Sequence, residues 1–377
     1  MRIAVTTRLL LPGKLEGIGW FTHEVLRRIT RDHAGDEFIL LFDRKPDPRF
    51  HYGPNVRAIS VPPPTRHPML YRIWAERMLP PVLRRLNADL LLAPDGILSL
   101  RARLPQIAVI HDLNFEAHPD DLPRAYRNYY RSRFPRFARK AERIITVSAF
   151  SKADIVERYG VPAERIDVVH NGVSDVFRPS TEEEQVEARR RLAGGRPYFV
   201  CVGSLHPRKN IARLLTAFDR VAQDHPEVHL VIIGEAFWWD ARMKAAWSDL
   251  RHKDRVSFTG RLDQAELRDA LAAALALVYV SYYEGFGIPV AEAMRCGVPV
   301  IAADATSLPE VAGEAALYCD PYNVDDIARA MNDLIASPEL RQRLMKAGPE
   351  RAIRYDWDRT AEGVWQSLMK VGTGKSS

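Results

Sequence analysis

The stretch that most restricts the fold is residues 276–294. An apolar, strand-like run from Ala276 to Val280 leads through Ser281-Tyr282-Tyr283 into Glu284-Gly285-Phe286-Gly287. Ile288-Pro289-Val290-Ala291-Glu292-Ala293-Met294 then reads as a helix that ends near Gly297. Pro289 suits the first helical position, where its missing N–H costs nothing. Strand, glycine turn and helix start are where α/β proteins hold anions, because free backbone N–H groups and the helix dipole point at the ligand. Two carboxylates flank the turn, Glu284 before it and Glu292 about one helical turn inside. A carboxylate repels a bare phosphate but accepts hydrogen bonds from neutral hydroxyls. The combination suits a sugar nucleotide; the plainer alternative is a loop cap and a solvated helix residue.

The same strand–loop–helix opening occurs at the start of each half. Met1 to Arg8 reads as a strand, Leu11 to Gly19 as a loop with Gly13, Gly17 and Gly19, and Trp20 to Thr30 as a helix with Phe21, Val25, Leu26 and Ile29 on one face. Tyr198 to Val202 is again a strand, Gly203 to Asn210 a loop, and Ile211 to Ala222 an amphipathic helix. Two such halves in 377 residues predict two Rossmann-like parallel-sheet domains. The expected division is residues 1–173, a linker over 174–196, a second domain over 197–356, and a terminal segment over 357–377. That last segment holds the amphipathic helix Trp357 to Met369 and a disordered tail, Gly372 to Ser377. Met69 to Leu86 reads as a helix interrupted at Pro80-Pro81, and Asp263 and Asp358 read as helix caps.

Other candidate residues lie at strand ends, where open α/β sheets bind ligands. Gln106 to Ile110 delivers His111-Asp112 at its carboxyl end, which suits either a substrate contact or a structural histidine. Arg208 and Lys209 are adjacent cations before a helix, fit to neutralise a pyrophosphate or to form an exposed basic turn. The only Asp-x-Asp is Asp356-Trp357-Asp358, next to the last helix, so no metal site and no cofactor is expected. Cys201, Cys296 and Cys319 have no close spacing, which argues against disulfides.

Charge is uneven along the chain. Residues 1–175 carry 28 Lys and Arg against 20 Asp and Glu, net +8, and the remainder carries 26 against 28, net −2. A basic first half points to an anionic partner. Arg124 to Arg143 interleaves eight cations with Tyr126, Tyr129, Tyr130, Phe134 and Phe137. It reads either as a surface helix with solvated charges or as a dock for an anionic membrane or a pyrophosphate-linked lipid. Met1-Arg2 runs directly into Ile3-Ala4-Val5, and the longest apolar run, Ala270 to Val280, is too short to cross a bilayer. A cytoplasmic protein, peripheral at most, is the expectation.

The Glu284–Glu292 spacing around Gly-Phe-Gly resembles the signature of retaining family 4 glycosyltransferases. The resemblance continues through Cys296 to Ala302 and Ser307 to Val311, and includes Gly203 to Asn210 and Phe258 to Leu262. In the first half it is carried by Gly17 and Gly19, His111-Asp112, Val147-Ser148 with Ser151, and Asn171-Gly172. It implies the GT-B fold, two Rossmann-like domains facing across a cleft, with the C-terminal helix returning to the N-terminal domain. It implies that Glu292 binds ribose hydroxyls, that Glu284 with Gly285, Phe286, Gly287 and Ile288 holds the donor sugar, and that Arg208 and Lys209 bind the diphosphate. Gly203 and Ser204 belong to the same donor-binding loop. Arg261 and Leu262 would meet the base, Gly17 and Gly19 the diphosphate, and His111 the transferred sugar. Family members often carry Arg where this chain has Ser204, and the Arg208-Lys209 pair compensates. The implied reaction keeps the anomeric configuration, with the departing phosphate taking the acceptor's proton.

The blocks Val202 to Asn210 and Tyr283 to Gly313 most resemble bacterial polysaccharide mannosyltransferases using GDP-mannose. The expected partners are therefore a nucleotide sugar and a saccharide or lipid-linked saccharide acceptor. A UDP-hexose donor is the nearest alternative, and a GT-B phosphorylase or sugar-nucleotide epimerase the next. A nucleic-acid-binding protein would fit the basic first half but lacks a recognisable reader module.

Overall fold

The computed structural model describes residues 1–235 and 239–372. The chain forms two compact units, Met1–Gly172 with the C-terminal segment from Asp356, and Val173–Tyr355. The first unit's strands are β1 (Arg2–Thr6), β2 (Glu37–Phe42), β3 (Val56–Ser60), β4 (Leu90–Ala93), β5 (Gln106–Val109), β6 (Arg143–Thr146) and β7 (Ile166–Val168). They pair in the order β3-β2-β1-β4-β5-β6-β7. The second unit holds β8 (Tyr198–Val202), β9 (His229–Ile233), β10 (Val256–Gly260), β11 (Ala276–Tyr279), β12 (Val300–Ala303) and β13 (Leu317–Cys319), ordered β10-β9-β8-β11-β12-β13.

Every pairing is parallel. Parallel strands need both faces covered, and continuous apolar runs such as Leu90–Ala93 and Tyr198–Val202 are buried along their whole length. In each sheet the strand order turns around the first strand of its unit. The two switch points are therefore β1/β4 and β8/β11, and the crevice outside their carboxyl ends is the expected ligand position.

The C-terminal helix Trp357–Gly372 packs on the first unit. Trp357, Ala361, Val364, Leu368 and Val371 are buried with Ile3, Phe21, Val25 and Ile29. Burial of each large aliphatic side chain contributes roughly 1.5–3 kcal/mol. Arg28 pairs with Asp358, and Lys370 with Asp167. Residues 373–377, most of the expected disordered tail, lie outside the described residues.

Several expectations need correction. Gly17 and Gly19 are not in a loop: they form the first turn of helix Gly17–Asp32, so the loop ends at Glu16. The helix around Pro80-Pro81 is not interrupted there. A π-turn over Trp74–Met78, with Leu79 N–H bonding to the Trp74 carbonyl, sets both prolines in the first turn of Leu79–Arg85, where their missing N–H groups leave no gap. Asp356, not Asp358, caps the last helix, accepting the Arg359 N–H at 2.8 Å. The stretch expected as a linker lies inside the second unit. Helix Glu182–Ala193, closed by a Thr181/Glu184 capping box, ties to helix Gln264–Ala272 through Glu184 and Arg268. Helices Ala241–Asp249 and Leu308–Ala312 and strand β13 were not foreseen.

The basic helix Arg124–Lys140 buries Tyr129, Phe134 and Phe137 while Arg124, Arg131, Arg136, Arg139 and Lys140 stay exposed. Arg127 and Arg131 pair with Asp120 and Glu116. No helix among the described residues is long and apolar enough to cross a membrane.

Candidate active site

The carboxyl ends of β8 and β11 bring together Gly203, Arg208, Lys209 and Glu284. The chain leaves β8 through Gly203, whose φ of +141° leads the backbone under the Lys209 side chain. A Cβ at Gly203 would lie 2.9 Å from Lys209 Cε, and one at Gly234, at the end of β9, would lie 2.0 Å from the Gly203 carbonyl oxygen. Both positions thus require glycine for close approach as well as for backbone angle. Ser204 follows, and the Leu205 N–H bonds to the Glu235 carbonyl at 3.0 Å.

A short 3₁₀ turn, Pro207–Lys209, then presents the two cations. His206 Nδ1 accepts the Arg208 N–H at 3.4 Å, and Asn210 ends the turn with φ +62°. Asn210 fixes this loop to its neighbours by donating Nδ2 to the carbonyls of Val280 (3.1 Å) and Pro321 (2.6 Å). The Tyr282 N–H donates to the Arg208 carbonyl at 3.1 Å. A rigid connection from the β8 loop to the β11 loop results.

Glu284 sits at the centre and is 5% exposed. Lys209 Nζ lies 2.6 Å from its Oε1, and Arg208 Nη1 lies 2.5 Å from its Oε2. Lys209 Nζ also donates to the Tyr279 hydroxyl at 2.5 Å, and that hydroxyl donates to Glu284 Oε1 at 3.0 Å. Burial acts to raise the Glu284 pKa, but Arg208 and Lys209 outweigh it and hold the carboxyl at about 2. Burial lowers the Lys209 pKa against the pull of Glu284. Burial, aided by the same two cations, lowers His206 to about 4, so its imidazole is neutral near pH 7. The cluster is two cations around one fixed anion.

The turn after Glu284 is held from a third strand. The Glu284 N–H donates to Thr306 Oγ1 at 3.1 Å, and Ser307 Oγ donates to the Glu284 carbonyl at 2.9 Å. Phe286 is buried edge-on against Tyr355, centroids 5.2 Å apart. Gly287 caps helix Ile288–Arg295 with φ +96°, and a Cβ there would strike Leu308 Cδ2 at 2.5 Å. Pro289 is the second helical residue, not the first. Glu292 is partly buried on this helix with no ionic or hydrogen-bond partner for its carboxyl among the described residues, and burial pushes its pKa to about 8.

Arg261 and Leu262 follow β10 on the same sheet edge, after Gly260, whose carbonyl accepts the Gly234 N–H at 2.9 Å. The second unit thus gathers Gly203, Ser204, Arg208, Lys209, Arg261, Leu262, Glu284 to Ile288 and Glu292 along the ends of adjacent strands and the helix that follows β11. The remaining candidates belong to the first unit. Gly17 is open, whereas Gly19 packs so that a Cβ would lie 2.8 Å from the Leu9 carbonyl oxygen. His111 is hydrogen-bonded from Nε2 to the Pro94 carbonyl at 2.9 Å and stands edge-on to Phe21; burial lowers its pKa.

Tyr279, Asn210, Gly234, Thr306 and Ser307 complete the site and were missed as site residues. Tyr279 carried a usable signal, since a tyrosine in an aliphatic strand needs a buried partner for its hydroxyl. Among the described residues no group of three or more His, Cys, Asp or Glu side chains could hold a metal ion. The cluster presents two cations and backbone N–H groups at adjacent strand ends, a combination able to hold an anion. With its pKa held at about 2, Glu284 is ionised near pH 7, as a hydrogen-bond acceptor and not an acid.

Residues 182–351 match the family model for glycosyl transferases group 1, and residues 15–177 the model for glycosyltransferase family 4. The O-antigen chain mannosyltransferase B of Escherichia coli is 30% identical over 257 residues, 67% of each chain. The sucrose-phosphate synthase structure from Thermosynechococcus elongatus superposes with a TM-score of 0.81 at 21% identity, covering 99% of this chain and 100% of that one. Anabaena Alr3699/HepE in complex with UDP-glucose gives 0.77 at 20% identity, covering 98% and 100%. Two parallel-sheet units, a cation–carboxylate cluster at a switch point and these matches agree: the chain belongs to the family 4 glycosyltransferases of GT-B fold.

Proposed function

We propose that this glycosyltransferase moves mannose from GDP-mannose, with retention of configuration and without a metal ion, onto a saccharide or lipid-linked saccharide in O-antigen-type polysaccharide synthesis. The observation that carries the reading is the Arg208–Glu284–Lys209 cluster at the β8/β11 edge. Its cations suit the departing diphosphate, and the anchored carboxylate suits a sugar hydroxyl. Glu292, a carboxyl without a counter-ion, suits a ribose diol. The mannosyltransferase relative supports the choice of sugar.

The step is a displacement at the anomeric carbon. The acceptor oxygen bonds to that carbon as the carbon–phosphate oxygen bond breaks, the electron pair leaves on the diphosphate, and the acceptor's proton passes to the departing phosphate oxygen. The protein contributes orientation and charge stabilisation. The protein works in the cytoplasm, with the exposed arginines of Arg124–Lys140 touching an anionic membrane.

A panel of nucleotide sugars tests the proposal, with NMR of the product's anomeric centre. GDP-mannose as the preferred donor, an α-linked product and activity retained in EDTA are expected. Preference for a UDP-hexose would overturn the donor, and an inverted product the mechanism. Sugar release that needs inorganic phosphate, or isomerised donor without acceptor, would make the enzyme a phosphorylase or an epimerase.

A further inference from the structure

Thr306, in the loop after β12, has a backbone angle that threonine seldom adopts: its φ is +55°. Among the described residues, the other non-glycine positions with positive φ are Asn87 and Asn210. Asparagine tolerates that region, whereas for a β-branched residue it is strained. Ser307 follows at φ −84° and ψ −9°, and the Leu308 N–H closes the turn on the Ala305 carbonyl at 3.2 Å. A positive φ followed by such a residue is the type II′ pattern, whose first central position is commonly glycine.

The strained residue holds the main chain of Glu284. Thr306 Oγ1 accepts the Glu284 N–H at 3.1 Å, and Ser307 Oγ donates to the Glu284 carbonyl at 2.9 Å. Two consecutive side chains thus clamp the peptide groups on either side of the Glu284 Cα, while Arg208 and Lys209 hold its carboxylate. Glycine at position 306 would relax the turn but would leave the Glu284 N–H without that acceptor. A strained backbone persists only where its surroundings over-determine it, and such residues cluster at active sites.

We propose that Thr306 is a positioning residue for glycosyl transfer, retained at a cost in stability because its hydroxyl oxygen aims Glu284. Its effect on rate rests on Glu284 meeting the donor sugar, as proposed above. Arg208 and Lys209 come from the β8 loop and stay in place without Thr306. The diphosphate end of the donor is then held as before, while the sugar is misaimed, and misaiming lowers kcat more than it lowers binding.

Thr306→Ser, Thr306→Ala and Thr306→Gly test this role by thermal melting, by calorimetric titration of GDP, and by turnover of GDP-mannose and of UDP-glucose with octyl α-mannoside as acceptor. Thr306→Ser keeps the oxygen and should retain kcat within about threefold of wild type, whereas Thr306→Ala and Thr306→Gly should each lose about tenfold. The GDP Kd should stay within about twofold in all three, because both cations remain. At an ordinary position glycine is less stable than alanine; here Thr306→Gly should melt about 3 °C above Thr306→Ala. Thr306→Gly, freed of the strain, decides the rate effect if Thr306→Ala does not fold. Unchanged kcat in folded Thr306→Gly, a loss in Thr306→Ser equal to that in Thr306→Gly, or GDP affinity falling in step with kcat overturns the positioning role alone. Thr306→Ala melting above Thr306→Gly overturns the strain. Wild type that binds and turns over neither nucleotide sugar overturns the proposed function, and this role with it.

Discussion

Replacing Lys209 by methionine tests the cluster most severely, because the stem is kept and only the ammonium is lost. Lys209 Nζ makes two hydrogen bonds, to Glu284 and to the Tyr279 hydroxyl, and is 2.6 Å from the carboxylate. If it also meets the leaving diphosphate, its loss should cost about 2.7–4 kcal/mol of transition-state stabilisation, or roughly 10²–10³ in kcat. Stability should change in a pH-dependent way. Glu284 has its pKa depressed from 4.5 to about 2, so its stabilising contribution is complete above pH 4.5 and is lost as pH falls toward 2. That shift corresponds to roughly 3 kcal/mol. With Arg208 alone, the folded pKa rises and the contribution shrinks, so the variant should unfold at higher pH than wild type during acid titration. Initial rates of transfer, with circular dichroism from pH 2 to 7, read both effects. A kcat within threefold of wild type in a folded protein would refute the assignment of Lys209 to the diphosphate.

Other outcomes follow from neighbouring residues. Burial raises the Glu292 pKa from 4.5 to about 8, so ligand-free wild type should lose stability relative to Glu292→Gln as pH rises from 5 to 8, while the variant binds GDP-mannose more weakly; parallel melting curves would contradict the shift. Gly203→Ala should lose at least tenfold in kcat by pushing the Lys209 stem aside, and its φ of +141° should cost about 1–3 kcal/mol of stability. Gly234→Ala drives a Cβ into backbone and should destabilise by about 3 kcal/mol or more, and denaturant titration separates the two. Changing Arg136, Arg139 and Lys140 to glutamate should reduce co-sedimentation with phosphatidylserine vesicles without changing kcat on a soluble acceptor; unchanged sedimentation would remove the membrane contact.

The parallel architecture was legible because buried parallel strands leave continuous apolar runs, and because glycine marks the places where a strand turns into a helix. Glu284, Arg208 and Lys209 were legible as a set because charged residues beside glycine turns at strand ends have few structural uses. Their pairing with each other was not legible, since residues 75 positions apart meet only when β8 and β11 become neighbours. The glycine loop near Gly17 was misread because two glycines in an opening helical turn look like a turn; Gly19 is demanded by packing on Leu9 and Leu15. The π-turn before Pro80 and the cap at Asp356 depend on hydrogen-bond register, which composition does not encode.

Calorimetric titration of GDP into wild type and into Arg208→Met/Lys209→Met is the most direct measurement, because the account depends on these two cations holding the diphosphate. Binding by wild type and at least a hundredfold weaker binding by the folded double variant are predicted. Equal affinity for the two proteins would contradict the account.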